Sequence, residues 1–111
     1  MSLSEDIKHG AAISGPLDNR FVQENSAGGI DACVLGCALL RVHGRNILQW
    51  TESEILHALY CAYDILSRSS PEQEGWTVFR ELVYLNDHSS QSREDIADYV
   101  SSLEEMTYEI E

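Results

Sequence analysis

Basic residues are scarce in this chain. Lys and Arg number 7 against 19 Asp and Glu, a formal charge of -12 over 111 residues. Such a surface repels nucleic-acid phosphates and anionic lipid. It argues against direct nucleic-acid or membrane binding and favours a basic partner, if there is one. By itself it is also what any well-solvated acidic surface looks like. Cysteine is scarce as well: Cys33, Cys37 and Cys61 make an odd count without the spacing of a disulfide framework, which reads as reduced and intracellular. No apolar run approaches the ~20 residues that cross a bilayer. No basic region followed by an apolar stretch marks a signal peptide at the N-terminus, so the expectation is a cytoplasmic protein.

Catalytic signatures are missing too. There is no nucleophile elbow, no His-Glu-x-x-His, no Walker pattern and no dinucleotide fingerprint. His9, His43, His57 and His88 are scattered along the chain. Gly28-Gly29 lacks the preceding strand that a phosphate-cradling turn needs, and reads as a flexible approach to a helix. The expectation is a protein that is not an enzyme and carries no cofactor.

What is present is a strong apolar segment, Ile30 to Val42. From Ala32 to Leu40 it holds no charged or amide residue. On a helix its apolar residues go all the way round, which marks a buried helix, and Gly44 stands just past it as a stop. Other helices must then surround it. Leu3, Ile7, Gly10 and Ala11 recur at helical spacing in a segment from Ser4 to Ile13, where Gly10 either weakens the helix or admits a neighbour closely. Thr51 and Glu54 form a capping box, with Trp50 and Ile55 placed for a hydrophobic staple, opening a helix to Arg68. Ser70-Pro71 offers a cap with proline at the first helical position. Trp76 to Asn86 forms a helix with Arg80, Glu81 and Tyr84 on its polar side. Ser92 caps the last helix, with Asp95 at the box position. No run alternates long enough for a strand. The chain therefore reads as one all-α domain, residues 1–111, of about five short helices packed around the central hydrophobic helix 30–42.

Metal binding is the sharpest chemical candidate. Cys33 and Cys37 lie four apart, as do His57 and Cys61, and two such helical pairs supply the ligand types of a zinc site. The helix faces oppose it. The cysteines of the first pair belong to the buried helix, whereas His57 and Cys61 fall on the polar back of theirs. The expectation is no metal. Arg41, His43 and Arg45 suit the C-terminus of the buried helix. The segment Ser92 to Val100 looks like the opening of a helix-turn-helix, but no recognition helix rich in Arg, Lys, Asn or Gln follows it.

Val83-Tyr84-Leu85-Asn86-Asp87-His88, followed by Ser92-Arg93-Glu94-Asp95-Ile96-Ala97-Asp98-Tyr99-Val100 and Glu104, resembles the C-terminal signature of small helical proteins encoded by bacteria and phages. His9-Gly10-Ala11-Ala12 and Cys33-Val34-Leu35-Gly36-Cys37-Ala38 are similar to the N-terminal pieces of the same group. Some members carry a Cys-Pro-x-Cys knuckle that this chain lacks. The resemblance implies a small helical protein and assigns no activity to any residue.

Two functions stay apart on these grounds. One is a protein–protein interaction module, with a homodimer as one form of it, anchored on aromatics such as Trp76 and Tyr99. The other is an acidic decoy that occupies a nucleic-acid-binding protein. From Ser92 to Glu111 there are seven carboxylates against Arg93 alone, and Glu94, Asp98, Glu104, Glu105 and Glu109 would imitate phosphates. An enzyme or metalloprotein stands behind both.

Overall fold

The structure is a computed structural model. It describes residues 2–110, with side chains described through Met106. Five α-helices hold most of the described chain: α1 (Leu3–Ala12), α2 (Val34–His43), α3 (Glu52–Ala62), α4 (Val78–His88) and α5 (Arg93–Ile110). Two 3₁₀ helices, Gly44–Gln49 and Asp64–Ser67, follow α2 and α3. Three short strands accompany them: β1 (Gly15–Pro16), β2 (Val22–Glu24) and β3 (Ile30–Ala32). The expectation of a purely helical fold is corrected by this sheet. Its order is β1-β3-β2, with β3 parallel to β1 and antiparallel to β2.

The front of the apolar segment is thus a strand. Ile30 and Ala32 face the core and Asp31 is half-buried between them. The helix starts at Val34 because its orphan amides are satisfied there. Cys33 Sγ accepts from the Gly36 amide at 3.4 Å, and Asn86 Oδ1 on α4 accepts from the Val34 amide at 2.9 Å. From Val34 to Leu40 every residue is buried, as an all-round apolar helix requires. Gly44, at φ 65, ends it. Each large side chain buried here contributes ~1.5–3 kcal/mol relative to exposure.

α1 packs most extensively on α2, and Gly10 is the reason it can. A Cβ on Gly10 would stand 2.0 Å from the Cys37 carbonyl oxygen. Gly36 serves a different neighbour: a Cβ there would lie 2.0 Å from the carbonyl oxygen of Phe21, in the segment that leads into β2. α5 closes over α1 from the other side. Glu104 accepts from the Leu3 amide at 3.0 Å, the Ser4 hydroxyl at 2.6 Å and the Ser2 hydroxyl at 3.3 Å, so a carboxylate sits on the positive end of α1.

The capping box of α3 is formed: the Thr51 amide donates to Glu54 at 2.8 Å and the Glu54 amide to the Thr51 hydroxyl at 3.2 Å. α3 stops at Ala62, short of Arg68, and the chain tightens into the second 3₁₀ helix. The Ser70-Pro71 cap begins no helix. Ser70 does accept from the amides of Glu72 and Gln73, but the loop closes through Ser70 N to Trp76 O and Val78 N to Arg68 O, both 2.8 Å. α4 starts two residues later than Trp76, with Thr77 as its cap. Ser92 and Asp95 bond reciprocally at the start of α5, at 3.0 and 3.3 Å.

Candidate functional site

The structure sets apart the two ligand pairs that the helix faces oppose as a zinc site. Cys33, the cap of α2, and Cys37, in its first turn, are buried, while His57 and Cys61 lie exposed on α3, Cys61 Sγ 3.6 Å from His57 Nε2. Among the described residues no three His, Cys, Asp or Glu side chains gather as a metal site. Burial pushes the Cys33 thiol up to about 12. It raises the Cys37 thiol as well, although the Arg93 guanidinium 3.1 Å from its sulfur acts in the opposite sense. Neither thiol is poised as a nucleophile, which requires the thiolate.

The acidic candidates on α5 take different roles. Glu94 and Glu105 are exposed. Asp98 forms an ion pair with Lys8 at 2.8 Å. Glu104 is committed to the start of α1. The Glu109 side chain lies outside the described residues.

Tyr99 is half-buried, and its hydroxyl donates to Glu81 Oε1 at 2.7 Å. Glu81 is buried, a correction to its place on the polar side of α4; Ser70 donates to the same oxygen at 2.6 Å. A buried carboxylate needs such donors, so Tyr99 holds the core together around Glu81.

Trp76 stands elsewhere, half-buried at the head of an exposed stripe. Trp76, just before the cap of α4, lines up with Arg80, Tyr84 and His88, which recur every four residues along one side of the helix. The Arg80 guanidinium lies 4.3 Å above the Trp76 ring. Tyr84, 45% exposed, meets the Trp76 edge at 5.5 Å and His88 at 5.3 Å. Sequence reasoning singled out Trp76 and passed over the rest, although the four-residue spacing was in view.

Beside this stripe runs a groove of about 1090 Å³. One wall is β2 with Phe21; the others come from the start of α2, the first 3₁₀ helix with Trp50, the start of α3 and the neighbouring face of α4. Phe21, Leu48, Phe79 and Val83 give it an apolar floor, each only partly buried. Phe79 also stacks on Tyr60 at 5.4 Å. The rim carries Glu24, Glu52 and Asp87 against Arg20 and Arg45, and Arg45 is already held by Glu24 at 2.6 Å. An apolar floor with polar edges suits a segment that buries side chains and keeps its ends in water. No protein-family model, curated protein or solved structure matches the chain.

Proposed function

We propose that this chain is a protein–protein interaction module whose contact face is the groove together with the aromatic stripe of α4. The observation that carries this reading is the run of Trp76, Arg80 and Tyr84, with the Arg80 guanidinium over the Trp76 ring and Tyr84 against its edge, next to an apolar floor. Trp, Tyr and Arg are the residues that most often anchor interfaces; Trp and Tyr bury much area at low entropic cost, and the Trp76 ring holds the Arg80 guanidinium in place. The partner carries net positive charge on this reading, opposite to the chain's -12.

The decoy remains the second reading. Glu94, Asp98 and Glu105 fall on one side of α5 by their spacings of four and seven residues, and Glu94 and Glu105 are exposed. One experiment separates the two. A partner is recovered with the tagged chain, purified, and titrated against three forms: wild type, the double variant Trp76→Ala/Tyr84→Ala, and the triple variant Glu94→Gln/Asp98→Asn/Glu105→Gln. The module reading expects the double variant to lose the partner and the triple variant to keep it. The reverse pattern overturns it in favour of the decoy.

A further inference from the structure

The phase of the β2–β3 ladder leaves a set of backbone groups turned outward. In an antiparallel pair, residues whose N–H and C=O point at the partner strand alternate with residues whose groups point away. Cys33 N donates to Phe21 O at 3.0 Å and Asn25 N to Gly29 O at 2.9 Å. The register sets Val22 opposite Ala32, Gln23 opposite Asp31 and Glu24 opposite Ile30. Phe21, Gln23 and Asn25 therefore turn their groups to β3, and Val22 and Glu24 turn theirs the other way. β3 is the middle strand, so β2 is an edge of the sheet. That edge lines the groove. Among the described residues, no backbone bond from a loop or cap reaches Val22 or Glu24.

We propose that β2 accepts an extended, positively charged segment of a partner protein as an added strand, paired through the outward groups of Val22 and Glu24. The inference rests on the interaction-module reading and specifies how that module binds. Strand addition supplies affinity through main-chain bonds and specificity through alternate side chains. Val22 and Glu24 are two residues apart, about 6.6 Å along a strand, which matches the outward groups of two residues of the incoming chain. One set of its alternating side chains then falls on the floor of Phe21, Leu48, Phe79 and Val83. The other set faces the rim, where the Arg45–Glu24 pair cancels and leaves the carboxylates of Glu52 and Asp87 against Arg20. Arg45, bonded to Gly28 O at 3.2 Å and to Glu24, bounds the edge at the hairpin end. A second copy of this chain fits less well, since two bodies of charge -12 repel.

The test uses the full chain, isotope-labelled, and peptides selected on it from a displayed library of random twelve-residue sequences. Before peptide is added, the Val22 and Glu24 amides should exchange with solvent faster than that of Gln23. A selected peptide should slow exchange at Val22 and Glu24 about tenfold or more, as a new hydrogen bond in a closed interface does. N-methylation of the peptide should weaken binding by a similar factor at alternate positions and leave the intervening ones nearly unaffected. Val22→Pro and Val22→Ala both give up a side chain that packs on the core and should melt close to one another, because an edge strand tolerates proline where the N–H points outward; only the proline variant should bind the peptide about tenfold more weakly than the alanine one. A peptide that perturbs Phe79 and Val83 while Val22 and Glu24 exchange at their free rates overturns strand addition and leaves the module reading standing. Selected peptides that all map to another face, or a library that yields no binder, overturn both. A dimer of the peptide-free chain with Val22 and Glu24 already protected overturns the choice of occupant.

Discussion

Arg93, in the first turn of α5, is bound to Ser14, just past the end of α1: Nη2 donates to the Ser14 carbonyl and Nη1 to the Ser14 hydroxyl, each at 2.8 Å. The same guanidinium reaches the carbonyls of Ala11, Gly15 and Ala32 at 3.1–3.3 Å and the sulfur of Cys37 at 3.1 Å. Among the described residues it has no carboxylate partner. Its charge is solvated by backbone oxygens instead, including that of Ala11 in the last turn of α1, where a cation suits the dipole. One side chain thereby fastens α1, β1, β3 and α5 at a single point.

Arg93→Ala should cost about 2–4 kcal/mol, because carbonyls taken from water on folding lose their donors. Arg93→Lys should fall between wild type and Arg93→Ala, since an ammonium lacks the planar fork that spans several acceptors. Urea denaturation midpoints give the order. Equal midpoints for wild type and Arg93→Ala would show that the knot contributes nothing.

Gly10→Ala tests the α1–α2 contact by its sign. In an exposed helix the change stabilises by up to ~1 kcal/mol, alanine being the better helix former. Here the new Cβ would meet the Cys37 carbonyl at 2.0 Å, and backbone cannot give way as a flexible side chain does. The variant should lose about 1–3 kcal/mol or more to overpacking. A raised melting temperature would mean the two helices sit further apart.

The helices that were legible in the sequence are those whose ends are written locally. Thr51 with Glu54 and Ser92 with Asp95 are three residues apart, and both boxes form. The start of α2 was not legible. Part of its cap comes from Asn86, 52 residues away, and Ile30–Ala32 continues the apolar run without a break. Strands of two or three residues are too short to show a period of two, so β1, β2 and the edge inferred to bind were invisible. Glu81 looked solvated because its partners, Ser70 and Tyr99, lie 11 and 18 residues off. Trp76 was legible as an anchor by residue type alone; the groove beside it depends on contacts between distant segments, which no local pattern encodes.

The three cysteines should separate cleanly in reactivity and in their effect on stability with pH. Cys61 is exposed, whereas Cys33 and Cys37 are buried. A thiol reagent should label Cys61 alone in the folded chain and all three after unfolding. Burial lifts the Cys33 thiol from an ordinary 9.0 to about 12. A group raised in the folded state contributes stability that is complete below its unfolded value and is lost as pH climbs to the folded one. Tyr63 and Tyr99 act in the same direction from 10.0 upward, raised first by burial and then by their bonds to Asp6 and Glu81. Unfolding free energy should therefore decline steadily above pH 9 and through pH 12. A flat profile over that window would contradict the burial of these groups.

Salt distinguishes the groove from the acidic side of α5 as the place where a partner binds. Exposed charges are screened beyond ~8–10 Å at moderate ionic strength. A complex built from Glu94, Asp98 and Glu105 against basic groups should weaken steeply as salt rises. It should also have to displace Lys8 from Asp98. A complex seated on Phe79, Val83 and the Trp76 stripe buries apolar and aromatic surface, whose contribution salt does not screen. Its affinity should change only a few-fold over the same range, through the rim charges alone. Titration of the recovered partner at low and moderate salt, with wild type and with the Glu94→Gln/Asp98→Asn/Glu105→Gln variant, reads both quantities together. A shallow slope that the triple variant leaves unaltered places the partner on the groove side. A drop of about a hundredfold with salt, abolished by the three substitutions, would put it on α5, because only screened charge–charge contacts lose affinity that fast.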